Sequence, residues 1–211
     1  MTDPQAIDLT DAIEAVRAGA LVIYPTETVY GIGADATQAA AVEAAFEAKG
    51  RAKTKPMSIA IASLATVYRY STPTDLAHRF MRAFLPGPVT VIVPRRTDVI
   101  VDAVTAGAAT VGIRLPAHPV AQRLLEAVDP IPLTATSANR SGAPPVTALD
   151  ALDASVMDAA AARIDVGPLD GSPPSTVVDP AANVIHRSGP LVRAVDAWLS
   201  DAHGRDPTYV G

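Results

Sequence analysis

The 211-residue sequence contains no cysteine, which excludes disulfide bonds, thiol catalysis and cysteine-ligated metal sites. Aromatic residues make up only 4% of it, so the sequence predicts a core built from Val, Ile, Leu and Ala. No apolar run approaches the roughly 20 residues that a helix needs to cross a bilayer. The acidic N-terminal segment also lacks the basic region of a signal peptide. We therefore expect a cytoplasmic protein without membrane contact.

Several enzyme motifs are missing as well. The sequence has no GxxxxGK[ST] phosphate loop and no GxSxG nucleophile turn. The GIG of residues 31–33 is a lone GxG, which is only a weak indication of dinucleotide binding. The histidines show no ligand spacing, so we expect no structural or catalytic zinc and assign no metal-ligating residue: His78, His118, His186 and His203. Whether Mg²⁺ would be held by protein side chains or by ATP alone stays open.

The pattern of apolar residues favours a globular α/β domain. Hydrophobic residues make up 49% and charged residues 18% of the chain. Short β-branched runs, such as 20–24 and 110–115, predict buried strands. They mix with helical patterns, such as 75–84, without strict alternation. We therefore predict one domain over residues 1–203, with a twisted, mixed β-sheet and flanking helices.

The last third of the chain is less regular. Residues 147–163 are predicted to be helical, with a break near residue 152, and residues 163–167 to form a short strand. We expect residues 204–211 to form a flexible tail.

A cluster of cations stands out in a chain whose formal net charge is −5. Lys49, Arg51, Lys53 and Lys55 fall within seven residues, where a predicted helix ends and a strand begins. One interpretation is a surface cluster that interacts favourably with the C-terminal end of the helix. The other is a binding site for a triphosphate, a pyrophosphate or RNA, because clustered cations repel one another unless an anion offsets their charge.

Arg114 and a polar loop are two further candidates. Arg114 lies near the end of an apolar strand, where an arginine needs either a structural ion pair or an anionic ligand. The segment TATSANRSG (134–142) is either an ordinary polar turn or a ligand loop at the C-terminal edge of the sheet. The same two interpretations apply to Ser175, Thr176 and Arg187.

Seven short motifs follow one another along the chain. They are PTETVYGIGADA, KGR, LPGPVT, VGIRLPAHP, TSANRSGAP, STVVD and HRSGPL. Together they resemble the YrdC-like threonylcarbamoyl-AMP synthase family, from about residue 12 to residue 193. The resemblance implies a twisted α/β sheet with a large, concave, basic face.

The resemblance also implies a reaction. Threonine and bicarbonate form N-carboxythreonine, whose carboxylate attacks the α-phosphorus of ATP and releases pyrophosphate. Because the nucleophile belongs to the substrate, catalysis requires positioning and charge neutralisation, and Mg²⁺ is expected to accompany ATP. The product, threonylcarbamoyl-adenylate, serves the first step of the N6-threonylcarbamoyladenosine modification of tRNA. The implied partners are the proteins that transfer the threonylcarbamoyl group, and tRNA through weak binding; a monomer and a homodimer both stay open.

Carried over by position, the resemblance implies roles for individual residues. The implied catalytic residues are those of the KxR motif, Lys49 and Arg51. The implied threonine-binding residues are Thr26, Thr28, Arg114 and Ser175. The implied ATP-binding residues are Arg51, Lys55, Thr110, Ser137, Asn139 and Arg187. Glu27 and Asp35 lie within the motif PTETVYGIGADA, and their roles stay open.

The chain departs from the family pattern in places. Ala52 stands where many members have proline, and Ala60 where some have a histidine near threonine. Residues 165–167 read DVG instead of a frequent DGG. Longer members carry an additional C-terminal domain, and without it we expect a more open site.

The alternative function is a non-catalytic module that binds double-stranded RNA or tRNA, or acts in ribosome maturation, through the same basic face. The intact KxR and SxN motifs favour the enzyme. The net negative charge also argues against a dedicated RNA-binding protein, whose affinity would depend on neutralising phosphates.

Overall fold

Ten strands form one mixed sheet in the computed structural model, which describes residues 4–210. In chain order they are β1 (Leu21–Pro25), β2 (Tyr30–Gly33), β3 (Ser58–Ala60), β4 (Val89–Pro94), β5 (Thr110–Arg114), β6 (Leu133–Ser137), β7 (Ala160–Arg163), β8 (Thr176–Asp179), β9 (Val184–Arg187) and β10 (Thr208–Tyr209). Their order across the sheet is β10-β9-β8-β4-β5-β3-β6-β2-β1-β7. The pairs β1–β7, β3–β5, β4–β8 and β9–β10 are parallel, and the other neighbours are antiparallel. The predicted mixed α/β sheet is confirmed.

The helices begin and end at recognisable sequence signals. Within residues 4–210 they are α1 (Thr10–Arg17), α2 (Ala39–Lys49), α3 (Val67–Tyr70), α4 (Asp75–Phe84), α5 (Asp102–Thr105), α6 (Pro119–Val128), α7 (Ala154–Ala159) and α8 (Val192–His203). Gly50 ends α2 with a left-handed φ of 56°. Thr74 caps α4 by accepting a hydrogen bond from Ala77 N, and Pro119 starts α6. No helix in this part of the chain is both long and apolar enough to span a membrane.

The two faces of the sheet are covered to different extents. One face packs on a large core that includes Phe46 of α2, Phe80 of α4 and Leu199 of α8. On the other face, α1 and α6 pack over a smaller cluster that contains Tyr24 and Leu124. These two helices leave part of β3, β4, β5, β6 and β8 uncovered, and this uncovered area is the floor of a cavity.

One segment predicted to be helical is partly a strand. Within 147–163, a short 3₁₀ turn and α7 are followed by β7. Parallel pairing with β1 and burial of Ala160 and Ala162 stabilise the extended backbone, which outweighs the helix propensity of alanine. The strand predicted at 163–167 was also wrong, since β7 ends at Arg163.

The end of the chain differs from the predicted tail as well. Within 204–211, Thr208–Tyr209 form β10 beside β9. Thr208 N donates to Asn183 O (3.0 Å), and Val210 N donates to Ile185 O (3.1 Å). A pairing this short has no periodic pattern in the sequence, so the sequence does not indicate it. Gly211 and residues 1–3 lie outside the described residues.

Gly189 lets the segment after β9 cross close to the start of β8. A Cβ atom on Gly189 would lie 2.4 Å from Thr176 N and 2.5 Å from Pro174 O. Both are backbone atoms that cannot rotate away, so the crossing requires glycine. The crossing keeps Ser175, which directly precedes β8, close to Arg187 at the end of β9.

Gly189→Ala should lower the free energy of unfolding by about 3 kcal/mol, because the added methyl group must displace the neighbouring backbone. Urea denaturation followed by circular dichroism measures this loss. Gly204→Ala is the control: Gly204 has a φ of +63° but nothing within 4 Å of its Cβ position. We expect that variant to lose about 1 kcal/mol from backbone strain alone. Equal losses in the two variants would contradict a steric requirement at Gly189.

Candidate active site

The uncovered face of the sheet forms an open cavity of about 340 Å³. Residues of five strands line it, most of them at alternate positions: Ser58 of β3, Thr90 and Ile92 of β4, Thr110, Gly112 and Arg114 of β5, Ala135 and Ser137 of β6, and Val177 of β8. Val111 of β5 and Thr136 of β6 also line it. Because side chains alternate along a strand, the residues between them, such as Val91 and Ile113, face the large core. A Cβ on Gly112 would lie 2.5 Å from Ser58 Oγ and 2.9 Å from Thr90 Cγ2, so glycine makes room for both side chains.

The strand register gives the cavity two ends. Thr110 and Arg114 are the first and last residues of β5, roughly 13 Å apart. β4 pairs with β5 and β8, and β8 pairs with β9. This register places Thr90 and Arg187 at the same end of the cavity as Arg114, the Arg114 end. The pairing of β3 with β5 and β6 puts Ser137 toward the other end, the Thr110 end.

At the Arg114 end, the turn after β1 holds the guanidinium group. Arg114 Nη2 donates to Glu27 Oε1 (2.7 Å) and to Thr28 Oγ1 (3.1 Å). Thr26 Oγ1 lies 3.0 Å from Thr28 Oγ1 and donates to Val29 O (2.7 Å), which orders the turn. Arg114 Nε is buried and has no hydrogen-bond partner among the described residues. Nη1 also makes no hydrogen bond to a described residue, so the guanidinium group keeps this donor for a ligand.

A second guanidinium group at this end belongs to Arg187. Its Nε donates to Ser175 O (2.9 Å) and its Nη2 to Ser175 Oγ (3.1 Å), while Ser175 Oγ lies 2.9 Å from Thr90 Oγ1. Burial and the positive charges of Arg114 and Arg51 lower the pKa of Arg187. An arginine still keeps its proton at neutral pH. The charges of Arg114 and Arg51 thus reach Arg187 across the cavity.

At the Thr110 end, Arg51 projects from the segment after α2. Its Nε donates to Lys55 O (3.2 Å) and its Nη2 to Pro56 O (2.9 Å). Burial lowers the pKa of Arg51. Backbone carbonyl groups orient this side chain without neutralising it, so its positive charge is available to a ligand.

Lys49 lies beneath the loop that follows β6. Its side chain is buried, with the residue 2% exposed, and Nζ donates to the backbone oxygens of Ser137 and of Asn139, the latter at 2.6 Å. Ser137 Oγ in turn donates to Asn139 Oδ1. Burial, with a further contribution from the charge of Arg51, lowers the pKa of Lys49 to about 8. Lys49 therefore supports the loop from the side of the core.

Most residues implied by the resemblance converge on the cavity. Seven of them line it: Thr28, Arg51, Thr110, Arg114, Ser137, Ser175 and Arg187. Thr26 lines a small adjoining cleft that shares Arg114 and Ser137 with the cavity. Lys49, Asn139 and Lys55 are not among the lining residues; the first two are buried, and Lys55 is exposed. The ligand contacts of all these residues stay predictions.

Other lining residues received no role from the sequence. Ser58, Thr90 and Gly112 face the cavity from the middle of the sheet. The sequence could have indicated these residues. In MSIAI and VTVIV, small or polar residues alternate with large apolar ones, which is the pattern of a strand with one uncovered face. Ala60, beside Arg114 in the register, is fully buried instead of lining the cavity.

The lining as a whole is cationic. It includes three arginines, Arg51, Arg114 and Arg187, and no carboxylate. Residues 4–210 contain no cluster of three or more His, Asp or Glu that could hold a metal ion. Guanidinium groups and hydroxyl groups in one concave site are suited to a ligand with several anionic oxygens.

Lys49 should give the stability of the protein a distinctive pH dependence. An unfolded lysine titrates near pH 10.4, so between pH 8 and 10 the unfolded chain binds more protons here than the folded protein. The contribution of Lys49 to the free energy of unfolding therefore rises with pH between pH 8 and pH 10. We expect the free energy of unfolding of the unchanged protein, minus that of Lys49→Met, to rise by about 2 kcal/mol from pH 7.5 to pH 9.5.

Urea denaturation at several pH values measures this difference. Lys55→Met, which removes an exposed lysine, is the control and should follow the unchanged protein. Parallel curves for Lys49→Met and the unchanged protein would show that burial does not lower the pKa of Lys49 in the folded state.

Comparisons with known proteins agree with this geometry. The sequence profile of the family Sua5_yciO_yrdC, described as "Telomere recombination", matches residues 14–189. A threonylcarbamoyl-AMP synthase of Bacillus subtilis is 36% identical over 205 residues, covering 95% of this chain and 58% of that protein. The human threonylcarbamoyl-AMP synthase is 32% identical over 219 residues, covering 98% of this chain and 77% of that protein.

Solved structures give the same result. The Sua5 protein of P. abyssi, complexed with L-threonine, has a TM-score of 0.82 and 34% identity, covering 94% of this chain and 58% of that one. This chain thus spans little more than half the length of the archaeal protein and of the Bacillus protein. The matched residues include every motif from the turn after β1 to the end of β9. The chain belongs to the Sua5/YciO/YrdC family.

Proposed function

We propose that this protein is a threonylcarbamoyl-AMP synthase, which makes threonylcarbamoyl-adenylate and pyrophosphate from L-threonine, bicarbonate and ATP. One observation carries the proposal: Thr28, Arg51, Arg114 and Ser137 come from four distant segments and line the same cavity. The Bacillus and human relatives bear the name of this enzyme, and a solved relative was crystallised with L-threonine.

The Arg114 end is the proposed site for threonine. Arg114 lines the cavity, and its Nη1 has no acceptor among the described residues. The carboxylate of an amino acid supplies that acceptor in the geometry that a guanidinium group favours. Thr28, Thr90 and Ser175 surround this end with hydroxyl groups, which can bond the hydroxyl group of threonine.

The Thr110 end is the proposed site for the nucleotide. Arg51, Thr110 and Ser137 line it, and Arg51 has no carboxylate partner among the described ion pairs. A triphosphate requires cationic partners, and the Arg51 guanidinium group can bind it without first breaking an ion pair. Lys49 acts on the same end indirectly, by holding the backbone of Ser137 and Asn139.

The reaction itself places two anions in contact. The carbamate carboxylate of N-carboxythreonine attacks the α-phosphorus of ATP, a new O–P bond forms, and the bond to pyrophosphate breaks. Arg51, Arg114 and Arg187 reduce the repulsion between these groups and stabilise the leaving pyrophosphate. Mg²⁺ would be carried on phosphate oxygens, since the described residues offer no carboxylate cluster for it. The adenylate would then pass to proteins that transfer the threonylcarbamoyl group to tRNA.

Purified protein should release pyrophosphate when ATP, Mg²⁺, bicarbonate and threonine are all present. Release should fall to background when threonine is omitted, because the carbamate nucleophile then cannot form. A coupled phosphate assay with pyrophosphatase measures the rate, and mass spectrometry identifies the adenylate. Pyrophosphate release that does not require threonine would overturn the proposal in favour of a different ATP-cleaving activity. No release at all would overturn it in favour of an RNA-binding module.

Substitutions of two arginines should separate the two ends of the cavity. Arg114→Ala should raise the KM for threonine by at least about tenfold, because it removes a charge-assisted hydrogen bond to the carboxylate. Arg51→Ala should lower kcat by at least about tenfold through lost stabilisation of the phosphates. Arg193→Ala, at an exposed position on α8, is the matched control and should behave as the unchanged protein. A change confined to the KM for ATP in Arg114→Ala would reverse the assignment of the two ends.

A further inference from the structure

Glu27 makes a contact for which the proposed reaction has so far no use. Its Oε1 accepts from Arg114 Nη2 (2.7 Å), and its Oε2 accepts from the backbone N–H of Ala117 (3.2 Å). The Glu27 and Arg114 side chains are only 17% and 12% exposed. Glu27 is nevertheless absent from the lining of the cavity, so it reaches Arg114 from behind.

We infer that Glu27 is a positioning residue, which fixes the Arg114 guanidinium group for the carboxylate of the amino-acid substrate. The inference rests on the proposed function, because it assumes that Arg114 binds that carboxylate. Glu27 itself acts through Arg114 and does not contact the substrate.

The ion pair between Glu27 and Arg114 explains why a carboxylate is needed at position 27. An arginine side chain has many rotamers. Unless the protein already orders it, the loss of this conformational entropy reduces the free energy of ligand binding. Glu27 and Thr28 both accept from the same nitrogen, Nη2, and Nη1 donates to no described residue. The guanidinium group is thus held at Nη2, while Nη1 stays available to a ligand.

Glu27 also joins two segments that are far apart in the sequence. The turn after β1 carries Glu27 and Thr28, while Ala117 lies in the segment between Arg114 and α6. A carboxylate has an acceptor oxygen for each of the two donors, Arg114 Nη2 and Ala117 N. In this geometry glutamine would present its oxygen to only one of these donors and its NH2 group to the other, so Glu27→Gln should weaken at least one of the two contacts.

Direct binding of L-threonine, measured by isothermal titration calorimetry, tests the inference. We expect the Kd for threonine to rise about fivefold in Glu27→Gln and at least about tenfold in Glu27→Ala, since the variants lose one or both charge-assisted contacts. The Kd for a non-hydrolysable ATP analogue should change less than about twofold, because the Thr110 end is untouched. Glu47→Ala, at an exposed position on α2, is the matched control and should change neither value.

A double-mutant cycle distinguishes positioning from a general loss of structure. In an Arg114→Ala background, Glu27→Ala should weaken threonine binding by less than about twofold further, because the residue through which it acts is gone. Additive effects, equal weakening of threonine and nucleotide, or an unchanged threonine Kd in Glu27→Gln would each overturn the inference alone. If the unchanged protein binds no threonine, the proposed function fails first, and this inference fails with it.

Discussion

Repulsion between three guanidinium groups on one uncovered face of the sheet is the force that the surrounding contacts must offset. Its effect is visible at Arg187, whose pKa is lowered by burial and by the charges of Arg114 and Arg51. Each group is held by a different kind of acceptor: Arg114 by Glu27 and Thr28, Arg187 by Ser175, and Arg51 by backbone oxygens. Only the Arg114 contact includes a carboxylate, so most of the positive charge is oriented without being neutralised. An anionic ligand therefore meets a preformed cationic site.

The sheet makes this arrangement possible because its two faces have different side chains. On the core side, large apolar residues such as Val91 and Ile113 pack against helices. On the cavity side the same strands carry small or polar residues, and Gly112 leaves space where even one methyl group would collide with Ser58 and Thr90. A hydrogen-bonded floor of this kind holds Thr110 and Arg114 at a fixed separation along one strand, which loops alone would not do.

The sequence was informative where a local signal had a local cause. Strands β1, β4 and β5 have β-branched runs, and α2 ends at Gly50, where the left-handed conformation favours glycine. It failed where pairing with a distant strand decided the outcome, as for the alanine-rich β7 and for the two-residue β10. The candidate site was predicted from motif order, and the structure brings Thr28, Arg51, Arg114 and Ser137 to one cavity. The direction in which each side chain points within a motif could not be predicted, since it depends on backbone geometry after a strand or helix has ended.

The direction of each side chain determines which residues of a motif line the cavity and which lie behind it. In KGR, Arg51 lines the cavity while Lys49, two residues earlier, points beneath the loop after β6. In SAN, Ser137 lines the cavity while Asn139, two residues later, bonds the loop backbone through Nδ2.

The turn TET divides in the same way, with Thr28 at the cavity and Glu27 behind Arg114. Each of these three motifs therefore combines one residue that lines the cavity with a neighbour that holds another part of the site. A partly buried charged site needs both kinds of residue. A cationic side chain that no neighbour holds must be ordered each time a ligand binds, and the entropy lost in this step weakens binding. The polar residues that sequence comparison singles out thus need not all contact substrate, and in this chain the buried Lys49 and Asn139 are the residues to which this applies most directly.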